Sequence, residues 1–210
     1  MFFVLLFGLF YFAMTRIIPG FGDPKMPVLS YLQPFAFTNQ EGKVITNKDV
    51  EGRVFVAEYF FTTCKGICPK MNRNLRIVYE AFKEEPAFLI LSHTVDPETD
   101  SVARMKHYAD SLGVDPAKWW FLTGRKDSLY SVARGSYLLD DPKNNSRSID
   151  AQFIHTQFFA LVDRKGQVRK IYDGLKTDEI KSLETDIKKL LGESGSGSRF
   201  VNGLFSNNPN

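Results

Sequence analysis

The stretch Val54 to Phe61 is apolar or aromatic at every position except Glu58, and it ends on the turn Thr62-Thr63-Cys64-Lys65-Gly66-Ile67-Cys68-Pro69. A short continuous apolar run bounded by turn residues belongs to the buried centre of a sheet. Pro69 suits the first turn of a helix, where its missing N–H is not needed. Met71, Leu75, Val78, Tyr79 and Phe82 then recur at helical spacing. A central strand therefore hands over to a helix across a few residues. That places the cysteine pair at the carboxyl end of the strand and the positive end of the helix, a position favoured by ligand and redox sites.

The rest of the chain supports an α/β fold. Phe35 to Thr38 and Lys43 to Thr46 flank Asn39-Gln40-Glu41-Gly42, the pattern of a hairpin. Ala87 to Ser92 predicts a strand. Thr99 to Leu112 predicts a helix with Gly113 as its stop. Trp119 to Leu122 predicts a short strand and Asp127 to Arg134 a short helix. Gln157 to Val162 and Val168 to Tyr172 predict two strands joined by the turn Asp163-Arg164-Lys165-Gly166. A last helix begins near Thr177, with acidic residues in its first turn and Lys188 and Lys189 in its last, matching the helix dipole. Alternating strands and helices closed by a hairpin and a helix describe an α/β sandwich.

The 210 residues suffice for one core of ordinary size. Residues 1–15 carry no charged side chain, and Arg16 is followed by Ile17, Ile18 and Pro19-Gly20. With neither a basic n-region nor a small-x-small cleavage site, residues 1–18 are expected to form an uncleaved membrane anchor. Residues 19–33, rich in Pro and Gly, read as a linker, 34–192 as the globular domain, and 193–210 as a flexible tail. No Lys or Arg precedes the apolar run, so charge leaves the orientation of the anchor open. A net charge of +3 without a basic run gives no reason to expect nucleic acid as a partner.

The chain has only two cysteines, Cys64 and Cys68. On a turn entering a helix, positions i and i+4 project to one side, so the two sulfurs can meet one ion or form one disulfide. A helix N-terminus and Lys65 are expected to lower the thiol pKa. A purely structural disulfide would close a very short loop and stabilise little. Two thiolates leave a metal under-coordinated. Of the three histidines, His107 lies on the solvated face of its helix, and His93 ends a strand beside Asp96-Pro97, where it is expected to cap the loop. His155 precedes the apolar strand that starts at Gln157, where an ordinary loop histidine and a ligand are both compatible with the spacing. Structural zinc usually takes four ligands, whereas a Cys₂His set suits copper, with thiolates favouring Cu(I).

The segment Phe60 to Pro69 resembles the T-x-C-x-x-x-C-P signature of the SCO/SenC family. Val95-Asp96-Pro97 with Asp100 is similar to that family's V-D-P-x-x-D segment. His155-Thr156, an apolar strand and Asp163-Arg164-Lys165-Gly166 follow in the family's order. The resemblance covers roughly residues 34–192. It implies a thioredoxin-like fold with an N-terminal β-hairpin, preceded by one transmembrane helix. It implies copper, as Cu(I) or Cu(II), held by Cys64, Cys68 and His155. It further implies delivery to the copper-bearing subunit of cytochrome c oxidase, an upstream copper donor, and a single-pass location in the cytoplasmic membrane with the soluble domain in the periplasm. Many members have Pro after the first cysteine, where this chain has Lys65.

A metallochaperone of this kind is not an enzyme in the strict sense. The alternative is a thiol–disulfide oxidoreductase that reduces the cysteines of a copper-site target through Cys64 and Cys68. Against it stand the C-x-x-x-C spacing, where such enzymes have C-x-x-C, and the lack of a proline close before the late strand, Pro142 being the nearest upstream. A peroxiredoxin-like peroxidase would use the same fold but give His155 no role.

Overall fold

The computed structural model describes residues 2–17, 26–146 and 148–193. The elements run α1 (Phe2–Ile17), β1 (Ser30–Tyr31), β2 (Ala36–Asn39), β3 (Val44–Thr46), α2 (Asn47–Val50), β4 (Val54–Phe60), α3 (Cys68–Phe82) and β5 (Phe88–Thr94). They continue as α4 (Val102–Leu112), β6 (Trp119–Thr123), α5 (Lys126–Val132), β7 (Phe158–Val162), β8 (Gln167–Asp173) and α6 (Thr177–Gly192). The described strands form one eight-stranded sheet in the order β1-β8-β7-β4-β5-β6-β2-β3. β4 pairs parallel with β5, and β5 with β6, while β7 runs antiparallel to β4. This is the thioredoxin-like α/β arrangement with an added β2–β3 hairpin.

Every residue of β4 and β5 is buried, because helices cover both faces of the sheet centre. Strand alternation sends Val54, Val56 and Phe60 into a core completed by α3, α4 and α6. It sends Phe55, Ala57 and Tyr59 into a second core with α5 and the hairpin. The apolar stripe read from α3 is its buried face: Met71, Leu75, Val78, Tyr79 and Phe82. α4 starts later than its periodicity suggests, because Ser101 caps it by accepting the Arg104 amide, and Gly113 ends it at φ +63°. After α5 the backbone passes through a π-helical turn, Ala133–Tyr137, which closes on Leu138 in the left-handed region.

Part of the expected linker is structured. Ser30 and Tyr31 pair with Val168 and Gln167 at the edge of the sheet. Arg169 secures the approach, donating to the carbonyls of Met26 and Pro27 and to Asp163 at 2.8 Å. A strand of two residues leaves no periodicity to read, so only its Pro-rich surroundings showed in the sequence. The remainder of the linker, residues 19–25, lies outside the described residues, as does the tail from 194 onward. α1 has 16 residues, and no described helix is long and apolar enough to cross a membrane.

The side chain of Leu75 is completely enclosed between α3 and the sheet. Leu75→Ala should lower the unfolding free energy by about 2–5 kcal/mol, read as a lower urea midpoint with an unchanged slope.

Candidate metal centre

The connection from β4 to α3 carries both cysteines. It turns at once, the Cys64 amide donating to the Phe61 carbonyl at 3.1 Å, and the carbonyl of Ile67 then starts the helix by accepting from Lys70 and Met71. Cys64 is half-buried, Cys68 is buried, and both are free thiols. Their sulfurs are neighbours. Burial, reinforced by the adjacent Cys64 thiol, pushes the Cys68 pKa well above the ordinary thiol range. The lowering expected from the helix N-terminus is therefore outweighed by desolvation at Cys68. A metal entering the site must displace the Cys68 proton.

A buried carboxylate holds the turn in place. Asp100 has no solvent exposure. It accepts the Thr62 amide at 3.2 Å, the Thr62 hydroxyl, and the Thr94 hydroxyl at 2.6 Å. Arg104 in turn donates to the Thr62 hydroxyl at 2.7 Å. The end of β5 and the start of α4 are thus fastened to a residue two positions before Cys64. The sequence offered Asp100 only as part of a recognisable segment and gave no hint of what it grips.

Beneath the turn lies Glu58, wholly buried on the α3–α4 side of β4. Its Oε1 accepts from the Ser92 hydroxyl at 2.6 Å, and Ser92 accepts from the Trp119 indole N–H at 2.8 Å. Among the described residues its Oε2 has no partner. Burial raises its pKa from 4.5 to about 7, with the Ser92 bond pulling the other way. In the sequence Glu58 appeared only as an interruption of an apolar run.

The histidines separate clearly. His155 is exposed on the loop entering β7, its ring 4.9 Å from Phe153, which packs edge-on against Phe61 at 5.1 Å. Those aromatic contacts tie the His155 loop to Phe61, three residues before Cys64. Yet among the described residues no three His, Cys, Asp or Glu side chains gather closely enough to hold a metal. The structure joins Cys64 to Cys68 and leaves His155 outside that pair. His107 is exposed on α4, as its helical phase predicts. The expectation for His93 is corrected: it does not cap a loop but points into the core from β5, stacked on Tyr59 and packed against Phe37 and Tyr137. Strand β5 extends two residues beyond its predicted end, which carries His93 inside. Neither ring nitrogen has a hydrogen-bond partner among the described residues, and burial lowers its pKa to about 3.

Two thiols and a nearby imidazole are soft-to-borderline donors of the kind copper accepts, and the same two thiols can close a disulfide. The family model described as SCO1/SenC matches residues 26–192. The SCO1 protein homolog of Bacillus subtilis is 31% identical over 168 residues, covering 78% of this chain and 84% of that protein. The mitochondrial relatives are longer, and the chain spans 46% and 44% of the Arabidopsis thaliana and human proteins. Among solved structures, BsSco, described as a cytochrome c oxidase assembly protein of the Sco family with a disulfide switch, has a TM-score of 0.68 and 28% identity, covering 81% of this chain and 99% of that one. Copper-bound ScoI of Bradyrhizobium japonicum has a TM-score of 0.60 and 26% identity, covering 77% and 99%.

Asp100→Ala strips partners from three donors, and should cost about 3 kcal/mol and accelerate hydrogen exchange at the Thr62 amide. Glu58 gives a pH signature. Its folded pKa lies above its unfolded value of 4.5, so its contribution to stability is complete below pH 4.5 and is lost as pH rises through about 7. The stability advantage of Glu58→Gln over the parent should grow across that window by on the order of 3 kcal/mol, measured by urea unfolding at several pH values. His93 acts in the opposite sense, losing stability as pH falls from 6.5 toward 3, and cancels because both proteins carry it. A gap that does not widen with pH would rule out Glu58 as the titrating group.

Proposed function

As a chain that belongs to the SCO1/SenC family, this protein, we propose, carries copper as cargo for the assembly of cytochrome c oxidase, held by Cys64, Cys68 and His155. The observation behind this reading is the pair of adjacent free thiols at the entry to α3, with the His155 loop tied through Phe153 to Phe61, three residues before Cys64. Copper-bound ScoI and the oxidase-assembly protein BsSco are relatives of similar fold and support it.

The residues divide the work by exposure. Cys64, half-buried, is the sulfur a partner reaches first. Cys68, buried and protonated, gives up its proton as copper enters. His155 supplies the third ligand from the neighbouring loop, which favours Cu(II), while the two thiolates alone suit Cu(I). The recipient is the copper-bearing subunit of the oxidase, and an upstream donor loads the site. α1 serves as the single-pass anchor within residues 1–18, with the domain in the periplasm. Phe3, Leu5, Phe7 and Leu9 are each more than half exposed on it, a surface that lipid would cover. The helix of 16 residues is about 24 Å long at ~1.5 Å per residue, somewhat short of a ~30 Å hydrocarbon core, a mismatch that local thinning of the bilayer accommodates.

A second reading is favoured by the asymmetry of the cysteines. An outer thiol that attacks and an inner thiol that resolves are what disulfide exchange requires, and BsSco is described as having a disulfide switch. In this role the protein reduces a disulfide of the recipient to two thiols, while Cys64 and Cys68 close a disulfide of their own.

The purified chain should bind one copper and show thiolate-to-copper absorption in the Cu(II) form. One tightly held zinc with no copper uptake would exclude the chaperone role. Cys64→Ser, Cys68→Ser and His155→Ala should each impair oxidase assembly under limiting copper. His155→Ala should weaken Cu(II) binding more than ~100-fold, beyond the range for residues that only support a ligand, while leaving the disulfide reducible. Full oxidase activity in the histidine variant, with both cysteine variants inactive, would decide for the oxidoreductase. Membrane fractionation with N-terminal sequencing tests the anchor, and loss of residues 1–20 would refute it.

A further inference from the structure

Beside Cys64 a groove of about 540 Å³ opens between α3 and α4. Pro69, Tyr108, Leu112 and Trp119 make its apolar lining. The lining is fixed: Tyr108 stacks on Phe60 with ring centres 5.5 Å apart, and the Trp119 indole N–H is committed to Ser92. Asn72, only 4% exposed, also lines it. Its side-chain NH₂ donates to the Tyr108 hydroxyl at 2.6 Å, while its buried Oδ1 has no partner among the described residues. An acceptor in that position calls for a donor from outside.

Two of the lining residues, Arg73 and Arg76, are cationic. From Tyr59 to Tyr79 the sequence holds Lys65, Lys70, Arg73 and Arg76 and no acidic residue. Arg76 is held by Glu80 and by the Leu112 carbonyl. Arg73 is exposed and, among the described residues, makes no ion pair. The positive end of α3 adds to this field. Pro69 to Arg76 spans about 10 Å of helix, the length of about three extended residues.

We propose that this groove docks a short acidic segment of the polypeptide whose thiols meet Cys64. The segment carries an acidic residue against Arg73 and an aromatic side chain with a hydrogen-bond donor, Trp or Tyr, seated on Tyr108 and Pro69 and donating to Asn72 Oδ1. The assignment of a thiol-bearing partner rests on the reading of Cys64 above. The groove chemistry stands on its own residues. An anchored aromatic supplies most of the contact energy in such docking, and the charge pair chiefly sets specificity and the rate of encounter.

The test uses the full chain in detergent and the cysteine-free probe N-acetyl-Asp-Gly-Trp-amide, followed by amide chemical shifts of the isotope-labelled protein. Binding should shift the Asn72 side-chain amide together with signals of Arg73 and Tyr108. Replacing Trp by Ala in the probe should weaken binding about tenfold or more, equivalent to about 1.4 kcal/mol. Arg73→Glu should weaken the Asp probe and favour the same probe with Lys in place of Asp. Equal binding of the Trp and Ala probes, shifts mapping away from α3 and α4, or no response to charge reversal would each overturn the proposal. Because the probe has no thiol and needs no copper, a chain that binds copper but not the probe defeats the groove alone. A chain that binds the probe but not copper defeats the chaperone reading alone.

Discussion

The burial of β4 on both faces governs everything near the site. A strand covered by α3 on one side and by α5 and the hairpin on the other meets solvent only where it ends. The chain must leave the sheet there, and the cysteines ride on that departure. What keeps so short a turn from wandering is Asp100, which joins the end of β5, the turn and the start of α4 through Thr62 and Thr94. Three segments converge on one carboxylate. The spacing of the sulfurs is inherited from that junction as well as from the helix that follows.

The same strand pair carries two ionisable groups in environments that oppose their charge. Glu58 points to the α3–α4 side and His93, on neighbouring β5, to the other. One is driven toward its protonated form and the other toward its deprotonated form, so both are neutral near pH 6. With no opposite charge beside them, these two side chains are held in their uncharged states, whereas the buried Arg169 on β8 keeps its charge by pairing with Asp163. The Cys68 thiol obeys the same rule at the edge of the core. Its helix terminus would favour the thiolate, but enclosure is stronger.

Much of this architecture was legible in the residues. Repeating patterns of period two and 3.6 located the long elements, and the strand-to-helix handover at Cys64 to Pro69 placed the thiols correctly. Features that depend on three-dimensional neighbours were not. β1 is two residues whose pairing depends on β8 and Arg169. His93 sits one residue from the end of β5, where a boundary error of two positions moves a side chain from loop to core. Glu58 and Asp100 look like ordinary acids until the partners that surround them are known. The groove formed by Asn72, Tyr108 and Trp119 draws on three elements that no linear spacing relates.

The short outer strands have a consequence for how this molecule can associate. The sheet ends in β1 on one side and β3 on the other, two and three residues long. An unpaired strand edge invites a foreign chain to extend the sheet, and abbreviated edges remove most of that invitation. Growth by strand addition is thereby discouraged at both margins. Any polypeptide that binds is left to engage through side chains and loops, contacts that release more readily than an added strand.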